Sequence, residues 1–566
     1  MTKIFQRTLL SLLLTSLFFL SCHNQSGRAS SLGAMNADSP RIINIINFIR
    51  QTDYRIEHAD SLMFEAVEKQ IELVNRYNFP ATFLFQFDAL INPAYQALMK
   101  NRLSSVCEIG AWWEITQPHV EAAGITWRGE HSWVSHANIA FTTGYTIDER
   151  ERLVDVYMNK FNEIYGYYPK SVGSWFIDAH TLAYMYDKYG IVASCNCKDQ
   201  VGTDGYTLWG GYWNQAYYPS RKNAYMPAQT AENQIAVPIF RMLGSDPVYQ
   251  YETGVGTNGQ GVISLEPVYT HAGKNKRWVN YFLEAIINQP SLAFNYAQAG
   301  QENSFTWNGM SEGLQMQFPI FDSLREAGKI RMETLESSGR WFSDKFSITP
   351  ATAVTVINDH REEGNKTVWY NSRFYRASLL WEIDGFCIRD IHMFDEAFKS
   401  DYVDTPGTGN QFFYFTLPVI DRFFWSTPEE KTGLRIMQHS DDGSKREVVL
   451  KEVSVKEQSK NVLKVESSDD KGNRFIITFY EDKIELTGKG SSKGFKWFLE
   501  LQVPESREEQ LPFVSYEKNL IKASFSGFPY QITLERGSVQ KENSSDYLLR
   551  LLPQKNKLTM NLSNRS

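Results

Sequence analysis

The sequence predicts two folds in one chain: a seven- or eight-stranded α/β barrel over residues 40–346, followed by an all-β sandwich over 347–566. Three observations carry this. From about Arg41 to Phe346, short apolar runs alternate with longer helical periods, the rhythm of βα units around a parallel sheet. From Ser347 onward the texture changes to period-two alternation punctuated by Gly, Asp and Lys turns. The length, 566 residues, exceeds one compact domain and gives two or three a sizeable core each.

Residues 1–21 read as a targeting segment. Lys3 and Arg7 precede an apolar run, Leu9 to Leu20, too short to span a bilayer. Ser21-Cys22 after that run resembles the lipobox of bacterial lipoproteins, which makes Cys22 the lipidation site and residues 22–39 a polar tether. The expected location is an exported lipoprotein, anchored on the periplasmic side or cell surface, with a soluble body.

The barrel strands follow. Arg41–Ile49 is the first, Ala81–Phe87 the second and Val106–Ile109 the third, with helical stripes at Ser61–Tyr77 and Ala94–Lys100. A charged amphipathic helix over Asp148–Tyr165 leads to the fourth strand, Lys170–Phe176. Gly190–Ser194, Gly261–Leu265, Ser291–Tyr296 and Lys329–Glu333 complete the set. The Gly- and aromatic-rich stretch Gly202–Pro227 reads as a long loop over the barrel mouth. Phe475–Phe479, Lys483–Leu486, Phe495–Leu499 and Gln531–Leu534 are sandwich strands, and Val448–Leu450 is another.

Composition bounds the chemistry. The net charge is -7 with no basic patch, which argues against nucleic-acid binding. Aromatic content is 14%, with 14 Trp and 29 Tyr, enough for sandwich cores and for stacking sugar rings in a cleft. Cys107, Cys195, Cys197 and Cys387 are too few for a disulfide framework, and buried free thiols are the default.

In a parallel barrel the chemistry gathers where strands end, so the polar residues after each strand are the candidates. They are Arg50 and Asp53; Asp88; Trp112, Trp113 and Glu114; Trp175, Asp178 and His180; Glu266 and His271; and Glu333. Carboxylates and Trp rings converging on one mouth suit cleavage of a glycosidic bond, which needs one acid and one nucleophile or base. Asp178 is the first candidate for nucleophile or base, against a helix N-cap. Glu266 or Glu333 serves as acid, with Glu114 a further acid candidate. Trp112, Trp113, Trp175, His180, Arg50, Asp88 and His271 are substrate-binding candidates.

The runs Asn78–Phe85, Glu108-Ile109-Gly110, Tyr168–Trp175 and Tyr189–Val192 resemble the glycoside hydrolase/deacetylase barrel superfamily, over roughly residues 40 to 345. The whole chain resembles bacterial lipoproteins built on this barrel plus a C-terminal β-sandwich. The resemblance implies two branches. In family-57 and family-38 glycosidases the fourth strand ends in the nucleophilic carboxylate, the place of Asp178; the preferred reading of this chain takes no cofactor. In polysaccharide deacetylases a divalent metal is held by an Asp after strand one and by an H-x3-H pair. Here Asp53 stands in the first place, but His131 and His136 are spaced one residue too far apart and lie about twenty residues beyond Gly110. The preferred expectation is an exported glycoside hydrolase acting on a carbohydrate. A metal-dependent deacetylase using Asp53, His131 and His136, and a non-catalytic carbohydrate-binding lipoprotein, are the alternatives.

Overall fold

The structure, a computed structural model, describes residues 39–439, 444–492, 494–544 and 547–564. The leader, Cys22 and the tether up to residue 38 lie outside the described residues.

Eight parallel strands organise the first half: β1 Arg41–Ile49, β2 Ala81–Phe85, β3 Glu108–Trp112, β4 Ser171–Gly173, β5 Ala193–Asn196, β6 Ile239–Arg241, β7 Asn295–Ala299 and β8 Arg331–Glu333. Their hydrogen-bonded order is β7-β1-β2-β3-β4-β5-β6, and β8 pairs with β1. All nine β1 residues are buried, which is why its Arg-Ile-Ile-Asn-Ile-Ile run shows no in–out alternation. This strand is long enough for three partners. Its first half pairs with β7 at Arg41↔Asn295 and with β8 at Asn44↔Glu333, and its second half pairs with β2 from Ile45↔Ala81.

The ring is nearly closed. Ala216–Tyr217 pairs antiparallel with β6, and the adjacent Gln215 amide reaches Asn295 of β7 at 2.7 Å. Phe240 on β6 packs on Tyr296 on β7, with ring centroids 4.9 Å apart. The layer outside is α1 Ala59–Tyr77, α2 Pro93–Arg102, α3 Ile147–Tyr165, α4 Ala179–Tyr189, α5 Lys276–Ile287, α6 Thr306–Glu326 and α7 Leu335–Lys345. Thr146 and Glu149 form a reciprocal capping box that starts α3, and Gly166 ends it in the left-handed region.

The sixth strand differs from the sequence reading. Gly261–Leu265 is irregular; its Ile263 and Leu265 are apolar because they are buried, and Leu265 N–H donates to Leu243 O beyond the end of β6. Val448 and Leu450 are likewise buried without belonging to a strand.

The second half is antiparallel, in a ten-stranded and an eight-stranded sheet. Val462–Ser468 alternates half-buried and buried positions strictly, as the period-two pattern requires. Barrel and sheets are stitched together. Trp213 stacks flat on Trp369 at 3.9 Å, and Asp199, just beyond β5, takes Arg241 at 2.7 Å and also Arg376, which in turn holds Asp390 at 2.8 and 2.9 Å. A small third sheet joins the hairpin Gln200–Thr203/Tyr206–Trp209 to Phe412–Phe415 from the second half, paired in parallel from Phe412↔Tyr206.

Candidate active site

The C-terminal ends of β1, β3 and β7 converge on one side chain, Arg50. It is 3% exposed and directly follows β1. Its guanidinium forks onto Glu114 at 2.9 and 2.8 Å, and its Nη1 faces Glu302 at 3.1 Å and Asp53 at 3.8 Å. Arg55 adds a second guanidinium, bonded to both Asp53 oxygens at 2.9 and 2.6 Å. Trp133 lies beneath both arginines, at 4.3 and 4.9 Å. Three carboxylates therefore share two guanidiniums, and the environment splits the proton affinities of Glu302 and Asp53.

Burial acts on Glu302 first; opposed by Arg50 and reinforced by Glu114, it pushes the carboxyl up to about 7. Burial would also raise Asp53, but the hydrogen bonds and charge of Arg55, with Arg50 beyond, bring it below the usual carboxylate range. Both oxygens face the same nitrogen of Arg50, so they lie within about 7 Å of each other.

Glycine places Glu302. Gly300, immediately after β7, has φ +96°, and a Cβ there would sit 2.2 Å from Ile46 O. The loop beyond it is pinned to β1 by reciprocal bonds between Asn303 and the Arg50 backbone at 2.9 and 2.8 Å. The sequence reading ends the seventh strand at Tyr296, three residues before its observed end at Ala299, and names no candidate after it, so Glu302 is absent from the sequence candidates.

Glu114 is buried, and its carboxylate is occupied by Arg50, by Gln86 at 2.6 Å and by the Trp112 indole N–H at 2.8 Å, so it anchors Arg50. Trp112 and Trp113 are packing residues. Trp112 stacks on Phe48 at 4.1 Å, while Trp113 turns out to His119 and Tyr157 at 5.4 and 5.7 Å. Trp175 is half-buried, 6.5 Å from Tyr206 on the hairpin. Asp88 is buried at the start of a short helix, Phe87–Ile91, and burial pushes it up to about 7. Glu266 is buried at the mouth, bonded by Ser264 at 2.7 Å; burial raises its pKa, with Lys198 opposing.

Several sequence candidates fall elsewhere. Asp178 is the N-cap of α4: its carboxylate accepts from Thr181 N at 3.0 Å and from the Thr181 and Thr142 hydroxyls at 2.6 and 2.7 Å, and pairs with buried Arg150 at 3.0 Å. With these partners and 2% exposure it is built into the scaffold. His180, two residues on, faces Glu151 of α3 at 3.1 Å. Glu333 pairs beside Asn44, three residues upstream of Asn47, and its carboxylate goes to Arg331 and Ser338; this is the N-terminal face of the barrel, opposite the mouth. His271 packs on Trp278 and His360 at 5.9 and 5.7 Å.

The metal alternative does not fit these residues. Asp53 is turned to two arginines, His131 is exposed and stacked on Tyr54 at 4.3 Å, and His136 is exposed ahead of the short helix Ala137–Ala140. Among the described residues no group of three His, Cys, Asp or Glu side chains could hold a metal ion.

No protein-family profile and no curated protein matches the chain. Among solved structures, a Parabacteroides distasonis protein assigned as a glycoside hydrolase/deacetylase aligns with a TM-score of 0.46 at 13% identity, over 69% of this chain and 89% of its own. A Mycobacterium smegmatis protein assigned as a polysaccharide deacetylase aligns at 0.34 and 10%, over 56% and 95%. A GH57 branching enzyme from Thermococcus kodakaraensis aligns at 0.29 and 8%, over 54% and 71%. The nearly closed parallel barrel and the β-rich second half are read from this chain's own strand pairing.

Proposed function

We propose that the protein is a carbohydrate-active enzyme that cleaves a glycosidic bond at the barrel mouth, with Glu302 as proton donor and Asp53 as the ionised partner. One observation carries the reading: two carboxylates within about 7 Å, one raised to about 7 and one lowered, across the same guanidinium. Glu302 keeps its proton near neutrality and gives it to the leaving oxygen. Asp53 stays charged and either attacks the sugar carbon or activates water. Arg50 and Glu114 hold the two at fixed separation. Exposed Tyr54 and half-buried Trp175 and Tyr269 supply apolar faces near the mouth. The leader and Cys22 support the further proposal that this chemistry happens outside the cytoplasm, on a lipid-anchored protein.

The test is hydrolysis of aryl glycosides and release of acetate from acetylated sugars by the full chain, with and without chelator. Glycoside cleavage that ignores chelator, falls as pH rises through about 7, and drops ~10²–10⁴-fold in Glu302→Gln and in Asp53→Asn is the expected result. Chelator-sensitive acetate release that survives Glu302→Gln sinks the reading.

A further inference from the structure

Asp53 is covered. A carboxylate that attacks a sugar carbon or takes a proton from water needs an oxygen directed at the substrate. Both Asp53 oxygens are turned to Arg55 instead: Nε bonds Oδ1 at 2.9 Å and Nη2 bonds Oδ2 at 2.6 Å. The two arginines of the site are held differently. Arg50 is buried and forked onto Glu114, with Glu302 on its third nitrogen. Arg55 has a side chain 41% exposed, and its Nη1 faces a second acid, Asp204, at 3.7 Å. Asp204 is 60% exposed and belongs to the roof hairpin, where Asp204 and Gly205, with φ +34° and +82°, make the two-residue turn between Thr203 and Tyr206. Trp133 lies 4.9 Å from the Arg55 guanidinium carbon and holds that group by its face, which leaves the nitrogens at its edge free to change acids.

We propose that Arg55 is a positioning residue for Asp53 with two seats: on Asp53 it covers the carboxylate, and on Asp204 it bares Oδ2 for the reaction. The proposal rests on the assignment of Asp53 to glycosidic cleavage. The rest of the Asp53 surroundings stays in place when the Arg55 side chain leaves. Oδ1 keeps the Arg55 backbone N–H at 3.0 Å, and Oδ2 keeps the Arg50 charge at 3.8 Å, so the carboxylate stays oriented and ionised while one oxygen is freed. Oδ2 is also the oxygen on the side of Glu302, since Nη1 of Arg50 faces both. The exchange needs no opening of the barrel, because an arginine this exposed passes from one acid to the other through water, and an exposed ion pair holds it only weakly. The second seat belongs to the roof, so the hairpin decides when Asp53 is available.

The test reads Asp53 directly. The full chain is treated at pH 6 with a water-soluble carbodiimide and glycine ethyl ester, which turns an accessible carboxyl into an amide, and the rate at each residue is mapped by peptide mass spectrometry. Asp53 should be labelled at least tenfold faster in Arg55→Met than in the parent, and at least threefold slower in Asp204→Asn. Exposed Glu57 and buried Asp178 should keep their parental rates, which reports that both variants fold. Glycoside cleavage by Asp204→Asn should fall about tenfold in kcat with KM unchanged, a split that loss of fold does not give. Equal Asp53 labelling in parent and Arg55→Met overturns the cover, and equal labelling in parent and Asp204→Asn overturns the second seat. The expected labelling in a chain that cleaves no glycoside sinks the hydrolase reading and leaves the two seats standing.

Discussion

Replacing Asp178 by Asn separates a catalytic carboxylate from a structural one. Asn caps a helix as well as Asp does, so Oδ1 still accepts from Thr181 N and the capping contribution is unchanged. What disappears is the charge 3.0 Å from Arg150, a guanidinium with no exposed surface, together with Oδ2 as acceptor for the Thr181 and Thr142 hydroxyls. Breaking a buried pair on one side costs about 3–5 kcal/mol. Arg150 still holds the carbonyls of Tyr145 and Tyr402 at 2.8 Å each, so the lower end, about 3 kcal/mol, is expected. Asp178→Ala removes the cap as well and should cost about 1 kcal/mol more. Urea unfolding at pH 7, with Arg150→Met closing a double-mutant cycle, measures both quantities. The pH dependence has a definite sign. Burial raises the Asp178 pKa, but Arg150 and the Thr181 and Thr142 hydrogen bonds bring it below the ordinary value. The stabilisation is therefore complete above about pH 3.9 and is lost as pH falls through the folded-state value, and the gap between parent and Asp178→Asn closes in acid. A variant as stable as the parent but unable to cleave glycosides would refute this assignment and return Asp178 to the chemistry.

Gly300→Ala forces a Cβ onto Ile46 O and shifts the loop that carries Glu302; a loss of about 1–3 kcal/mol in urea unfolding and at least tenfold in glycoside cleavage is expected. Arg376→Met takes the guanidinium from the buried Asp390 carboxylate and leaves Asp199 with Arg241 as its one arginine; unfolding should be easier by about 3–5 kcal/mol, and limited proteolysis should cut between barrel and sandwich.

The rhythm of the barrel was legible because β1 and β2 are uninterrupted apolar runs set between strongly periodic helices. Strand ends were not. A strand buried on both faces has no alternation to mark its register, so the sequence reading starts β7 about four residues early and β5 about three, and stops short of Glu302. β6 is three residues behind Pro238, too short to outweigh the apolar Val262-Ile263-Ser264-Leu265 segment nearby. Arg50, Asp53, Glu114 and Glu266 were found by counting on from strands, but their partnership was not, since a guanidinium shared by loops after β1, β3 and β7 leaves no local pattern. Asp178 shows the converse. Its place before α4 made catalyst and cap equally readable, and only Arg150, twenty-eight positions away, distinguishes them.

The three-stranded sheet that joins the two halves has a consequence for biogenesis. The hairpin over the mouth is completed by Phe412–Phe415, and the Thr416 hydroxyl reaches the Gly210 carbonyl 206 positions upstream. Closing so long a loop delays this contact relative to the local βα units. While the chain is still emerging from the ribosome or a translocon, the barrel strands can pair, but the mouth has no roof until the sandwich half has followed. A nascent barrel would thus stay open-mouthed until Phe412–Phe415 arrives from the second half to complete the sheet.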